Sequence, residues 1–277
     1  MGMFAVLLSA SIAGAAMPQA PEQLRLADPV QPAMWKVQDG DTTIYLFGTF
    51  HALDGSTDWF KDRVSTAFHA SDELVLETLV PKPLKSQVKL GARPAGLPMR
   101  PSIARLAPSA SFAASTQMVM TASRNRGMSI ALGADAELRQ AAEGSGKPVG
   151  ALESFEYQLN MFSSLRPPTR PRLPLASQAI DPNMMKALSI ALARLQDAWM
   201  RGDMTTFAPM LEQMRMQSPE AYRLMFVERN ARWASWIAGR MQQPGTVFVA
   251  VGAGHLAGSD SVQNQLAAIG VGSTRVN

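Results

Sequence analysis

Apolar and polar positions along the chain alternate between two rhythms, a short strand rhythm near both ends and a helical rhythm in the middle. Met34 to Gln38 and Thr42 to Phe47 are β-rich runs separated by Asp39-Gly40-Asp41, which predicts a hairpin. Thr43-Ile44-Tyr45-Leu46-Phe47 is almost continuously apolar, as suits a strand covered on both faces, and the run stops at Gly48. Phe60, Val64 and Phe68 share one side of a helix from Trp59 to Ala70, and Leu74-Val75-Leu76 forms a short strand that ends at Glu77. Prolines and glycines break the chain from Leu79 to Pro108. Ser109 to Arg126 and Ala134 to Glu143 read as helices, and Pro148 to Leu152 as a strand.

Three helices follow. Asp181-Pro182 opens the first, whose stripe is Met184, Leu188, Leu192, Leu195 and Trp199. Gly202-Asp203 stops it and caps the second, where Phe207, Met210, Leu211 and Met214 face inward; Ser218-Pro219-Glu220 opens a third that runs to about Met241. Thr246 to Val251 (TVFVAV) is a second continuous apolar strand, followed by a helix from Ser259 to Ile269 and a short strand from Ser273 to Val276. Strands alternating with helices at both ends, with a helical block between, predict one α/β domain over residues 32–277: a central sheet, flanking helices and a mid-chain helical insertion.

The first 31 residues differ in kind. Phe4 to Ala16 is an uncharged apolar run with small residues at Ala13 and Ala15, the pattern of a signal peptide over 1–16, although no Lys or Arg precedes it. It is short for a membrane span. The proline-bearing segment 17–31 reads as a disordered lead-in, so export to the periplasm or outside the cell is expected. Cysteine is absent, which excludes disulfides, thiolate metal sites and a Cys nucleophile. The net charge is only +4, from 26 basic and 22 acidic residues with no Lys/Arg run, which argues against nucleic acid as a partner. Arg166 to Pro174 (RPPTRPRLP) is an extended basic strap, read as a surface linker before a substrate-lining segment. The 18 methionines, many of them in the helical block, are most simply core filling, with a plastic peptide-binding surface as the sharper alternative.

The chemistry concentrates at strand ends. Of three histidines, two share a context: one strand leads into Gly48-Thr49-Phe50-His51, the other into Gly252-Ala253-Gly254-His255. Open α/β sheets place their ligands beyond the carboxyl ends of strands, and glycine at the exit permits a sharp turn or a close approach. Glu77 occupies the same position on a third strand, so His51, Glu77 and His255 make up the two-imidazole, one-carboxylate set of an open catalytic metal site. The remaining histidine, His69, lies inside a helix and reads as structural or surface. In the third helix of the block, Tyr222, Phe226, Trp233 and Ile237 mark the buried face, and Arg229 and Asn230 fall within it. A buried Arg must be paired or face a polar cavity. Arg229 is therefore either half of a structural ion pair or, with Asn230, a group that holds substrate or stabilises an oxyanion. Asp135 and Glu153 are supporting polar candidates.

These motifs, in this order, resemble the TraB/GumN family, which includes the TIKI proteases. The likeness runs from Met34-Trp35-Lys36-Val37 through Gly48-Thr49-Phe50-His51, Ser71 to Glu77, Gly133-Ala134-Asp135, Lys147 to Glu153, Trp199 to Asp203 and Arg229-Asn230 to Val249–Gly258 (VAVGAGHLAG). It looks like the exported GumN-type branch, with Phe50 where an aliphatic residue is more usual. The resemblance implies a divalent-cation-dependent peptidase in which His51, His255 and Glu77 are essential, Glu77 as third ligand or general base, with manganese or cobalt favoured and zinc acceptable on ligand grounds. It also implies two alternatives. Similar erythromycin esterases use a histidine base without metal, and TraB and PrgY relatives control peptide pheromones by cleavage or by capture alone. The expected partner is thus a peptide or small-molecule substrate.

Overall fold

A computed structural model describes residues 30–80, 110–165 and 182–276. The segments read as signal peptide and most of the lead-in, and the basic strap at 166–174, lie outside the described residues. The strand rhythm folds as expected. β1 (Met34–Gln38) and β2 (Thr42–Thr49) form the antiparallel hairpin, joined by β3 (Glu73–Leu76), β4 (Val149–Ala151), β5 (Gly245–Gly252) and β6 (Thr274–Arg275) in one six-stranded sheet of order β4-β3-β5-β2-β1-β6. β4, β3, β5 and β2 run parallel to one another, while β1 is antiparallel to both β2 and β6. The helices are α1 (Asp62–Ala70), α2 (Ala110–Arg124), α3 (Ala134–Gly144), α4 (Phe155–Ser164), α5 (Pro182–Met200), α6 (Ala208–Gln217), α7 (Pro219–Tyr222), α8 (Glu228–Arg240) and α9 (Val262–Ala268). The chain is a single α/β domain with a mixed sheet.

Alternation explains the layering. Along β5, Val247, Val249 and Val251 pack with Trp233, Ala234 and Ile237 of α8 and Val262 and Leu266 of α9. Phe248 and Ala250 face the opposite core, built from α1 to α6. Both faces of β5 are thus buried, and its continuous apolar run is the sequence signature of that position. In α5 the stripe Leu188, Leu192, Leu195 and Trp199 is buried as its spacing requires. Trp199 does more than fill space: its indole Nε1 donates to the Gly48 carbonyl at 2.6 Å, and its ring meets Phe47, Phe50 and Trp59. The helical block therefore clamps the first strand exit.

Some boundaries differ from the sequence reading. β2 continues through Gly48 and Thr49, because both pair with β5 at Val251 and Gly252. α1 starts at Asp62 and not at Trp59, which is buried in the aromatic core, stacked on Phe47. Asp203 does not cap α6; it closes the preceding turn by accepting from Thr205 N and the Thr205 and Thr206 hydroxyls, and α6 begins at Ala208. The expected long helix from Ser218 is interrupted by a π turn at Arg223–Val227 between α7 and α8. Among the described residues no helix is long and apolar enough to cross a membrane.

Candidate functional site

Four neighbouring parallel strands deliver one polar residue each just past their carboxyl ends: Glu153 after β4, Glu77 after β3, His255 after β5 and His51 after β2. The sheet order makes these residues spatial neighbours although His51 and His255 lie at opposite ends of the described chain. Glycine permits the convergence. A Cβ on Gly252 would stand 3.0 Å from His51 Nε2 and 3.1 Å from Glu77 Oε1, so these two atoms flank one point against the Gly252 backbone. A Cβ on Gly133 would stand 2.1 Å from the His51 carbonyl oxygen, which lets the turn before α3 lie directly on the first G-x-x-H turn.

Each imidazole is held through Nδ1. His51 Nδ1 is 2.6 Å from Asp135 Oδ2, and Asp135 Oδ1 accepts from the Thr49 hydroxyl at 2.8 Å. His255 Nδ1 meets Asn230 Oδ1, while the Asn230 Nδ2 amide donates to the Asp260 carbonyl at 2.6 Å. That second bond fixes the amide orientation, so His255 carries its proton on Nδ1 and presents a lone pair at Nε2. The His255 ring lies between Phe226 at 4.9 Å and Trp233 at 4.4 Å and is wholly buried, whereas the His51 side chain keeps 25% of its surface exposed. The site is therefore open to solvent at its His51 end.

Arg229 ties the buried end together. Nε donates to Glu153 Oε2 at 3.1 Å, Nη2 to Glu77 Oε2 at 3.0 Å and also to Glu153 Oε1. Nη1 donates to the Met225 carbonyl and to His255 Nε2, both at 3.3 Å. The guanidinium stacks over Trp233 at 4.6 Å. Gln158 donates to Glu153 Oε1 at 2.9 Å, and the Gly252 N–H donates to Glu77 Oε1 at 2.6 Å. His255 Nε2 is 3.6 Å from that same Glu77 oxygen.

The charges follow from this packing. Burial would raise the Glu77 pKa, but Arg229, both imidazoles and the Gly252 N–H outweigh it and bring it down to about 2. Burial also opposes protonation of His51, yet the charge and hydrogen bond of Asp135, with Glu77 behind them, raise its pKa above the ordinary 6.5. For His255, burial dominates, Arg229 adds to it, and the pKa falls well below 6.5. In the metal-free protein, NMR of the imidazole protons should show His51 titrating above pH 6.5 and His255 staying neutral far into acid. The signs of the linked stability differ. The His51 contribution is complete below pH 6.5 and fades as pH rises through its folded value. Those of His255 and Glu77 are lost on acidification, below the unfolded values of 6.5 and 4.5 respectively. A His255 resonance titrating near 6.5 would contradict its burial.

The structure thus brings together all seven sequence candidates: His51, Glu77, His255, Arg229, Asn230, Asp135 and Glu153. Arg229 is 0% exposed and Asn230 1%, and within the protein they hydrogen-bond Glu77, Glu153, His255 and the Met225 and Asp260 carbonyls. Sequence reasoning gave no role to Thr49, Gln158 or the Asp260 carbonyl, whose contacts with Asp135, Glu153 and Asn230 carry no sequence signal of their own. His69 is exposed, stacked on Phe60 and edge-on to Phe68, and apart from the site.

Among the described residues, no three His, Asp or Glu groups are gathered closely enough to hold a metal ion as they stand. The donor chemistry nonetheless suits one. Two imidazoles, each with Nδ1 engaged by an oxygen, turn Nε2 toward a single ionised carboxylate, and an oxygen on the far ring nitrogen is how metal-ligating histidines are oriented. Glu77 and Glu153 also share the one Arg229 guanidinium, and Asp135 adds a third carboxylate beside His51.

Neither the comparison with curated proteins nor that with solved structures gives a match. The model of the TraB/PrgY/gumN family matches residues 33–94 and 78–275, which include every strand and every residue of the site. With that coverage, the chain belongs to the TraB/PrgY/gumN family.

Proposed function

We propose that the protein is an exported hydrolase of peptide or related acyl bonds, working with a divalent cation held by His51, Glu77 and His255. The observation that carries this reading is the convergence at Gly252, where His51 Nε2 and Glu77 Oε1 flank one point and His255 Nε2 stands 3.6 Å from the same oxygen. Such a cation, when bound, supplies an acidified water and polarises a carbonyl. Manganese, cobalt and zinc are all compatible with the nitrogen and oxygen donors. The protein's own contribution is positional. Asp135 and Asn230 fix the two rings, the Gly252 N–H and Arg229 hold Glu77 ionised, and the half-open His51 end admits the substrate. Glu77, with its pKa near 2, is a ligand or a base and not an acid.

A second reading has its own support. The 2.6 Å contact between His51 and Asp135, at the exposed edge, is the geometry of an oriented general base that activates water at Nε2 without a metal. One experiment separates the two. Metal content and hydrolysis of a peptide and ester panel are measured after dialysis against chelator and after return of Mn²⁺, Co²⁺ or Zn²⁺, in the wild type and in His255→Ala. The cation reading expects activity to vanish with the metal and return with it, and expects His255→Ala to bind none. Full activity in chelated wild type, with negligible metal in both proteins, would overturn it in favour of the base.

A further inference from the structure

The contacts of Arg229 bear on how a cation enters, and this step rests on the cation reading above. We infer that Arg229 occupies the Nε2 lone pair of His255 until a divalent cation displaces it, so that cation uptake is an exchange of partners and not the filling of a prepared site. The reasoning starts at Asn230. Its Nδ2 is committed to the Asp260 carbonyl at 2.6 Å, its Oδ1 therefore faces His255, and the imidazole must donate from Nδ1. Nε2 is left as an acceptor with one lone pair. A guanidinium is protonated at every relevant pH, and its Nη1, 3.3 Å away, can only donate to that lone pair. The same lone pair cannot bind a cation and accept from Arg229.

Glu77 faces a related choice. Its Oε2 accepts from Arg229 Nη2 at 3.0 Å, while Oε1 lies on the side of His255 Nε2 and Gly252. The exchange is local because Arg229 has other anchors. Glu153 takes Nε at 3.1 Å and Nη2 as well, Met225 takes Nη1 through its carbonyl, and the Trp233 face stacks on the guanidinium at 4.6 Å. Arg229 can release His255 while staying paired with Glu153, which makes Glu153 a positioning residue for the exchange. In the metal-free state the guanidinium supplies the positive charge that the acidic cluster calls for, and the divalent cation takes over that task.

The test uses the full chain with Zn²⁺ and Mn²⁺ alone as probes, titrated in competition with a chromophoric chelator. Arg229→Lys keeps a positive charge beside Glu77 and Glu153 but removes the Nη1 donor from His255. A hydrogen bond from a charged donor corresponds to roughly tenfold to a hundredfold in an equilibrium. Arg229→Lys should therefore bind Zn²⁺ at least about tenfold tighter than wild type. The gain should disappear when His255→Ala is added to it. If the wild type binds through His51, Glu77 and His255 and Arg229→Lys binds no tighter, the exchange is refuted while the cation reading stands. If neither protein binds, the cation reading fails and takes the exchange with it. Should Arg229→Lys not fold, a crystal structure of the Zn²⁺-loaded wild type decides: Arg229 Nη1 withdrawn beyond hydrogen-bond distance of His255, with the Glu153 contact retained, supports the exchange. An intact Arg229–His255 contact beside a bound ion overturns it.

Discussion

Gly252→Ala is expected to abolish hydrolysis, by two orders of magnitude or more, in a protein that still folds. The backbone at Gly252 has φ −53° and ψ 136°, which any L-residue adopts, so the substitution brings no torsional strain. The added methyl would instead occupy the point between His51 Nε2 at 3.0 Å and Glu77 Oε1 at 3.1 Å, with His51 Cε1 at 3.4 Å. Both neighbours are the ends of side chains and can retreat by a few tenths of an ångström. The stability cost should stay near the lower end of overpacking, about 1 kcal/mol. Function has no such tolerance, since the methyl fills the point between His51 Nε2 and Glu77 Oε1 where the proposed cation or water would sit. Turnover and the urea midpoint, measured together, check this. Wild-type turnover in Gly252→Ala would mean that reaction takes place elsewhere than at this strand exit.

The expectation also shows which part of the site was legible in the sequence. The apolar runs of β2 and β5, each stopping at a glycine three residues before a histidine, declared both strands and their shared end of the sheet. Strand order was not declared. Nothing in the local pattern says that β5 inserts between β3 and β2, and it is this order that sets Glu153, Glu77, His255 and His51 in a row. The helical stripe correctly buried Arg229 and Asn230, but periodicity carries no information about partners. It could not tell that the Arg229 fork is taken by Glu153 and Glu77, two residues more than seventy positions upstream. The π turn at Arg223–Val227 was invisible for a different reason: nothing in its residues departs from a helical pattern, and the widened turn is marked only by a local contact, the Arg229 hydrogen bond to the Met225 carbonyl four residues back. Local chemistry was readable where one glycine or one turn decides the backbone. It was hidden where distant acidic side chains decide the role of a base.

Arg229→Met should be the most damaging single substitution for stability, lowering the unfolding free energy by about 3–5 kcal/mol. Methionine fills much of the same volume and can lie on Trp233, so lost packing is a minor part of the effect. The cost comes from Glu77 and Glu153, whose side chains are only 8% and 6% exposed and would lose their guanidinium together. A buried carboxylate without a counter-charge is far more costly than a buried pair is favourable. Two further results follow. Adding Glu153→Gln to Arg229→Met should restore part of the loss, because one of the stranded charges is removed. The pH dependence should also weaken. In the wild type Glu77 is depressed from 4.5 to about 2, so its stabilising contribution is present above 4.5 and lost as acid is added. Without Arg229 the largest cause of that depression is gone, while the two imidazoles and the Gly252 N–H still oppose burial, so the folded pKa of Glu77 moves up toward its unfolded value. The variant should then lose less stability than the wild type as pH falls below 4.5. Urea unfolding of wild type, Arg229→Met and the double variant above and below pH 4.5 measures all three effects. A loss under about 1 kcal/mol, with the wild-type pH slope kept, would show that the two carboxylates do not depend on Arg229.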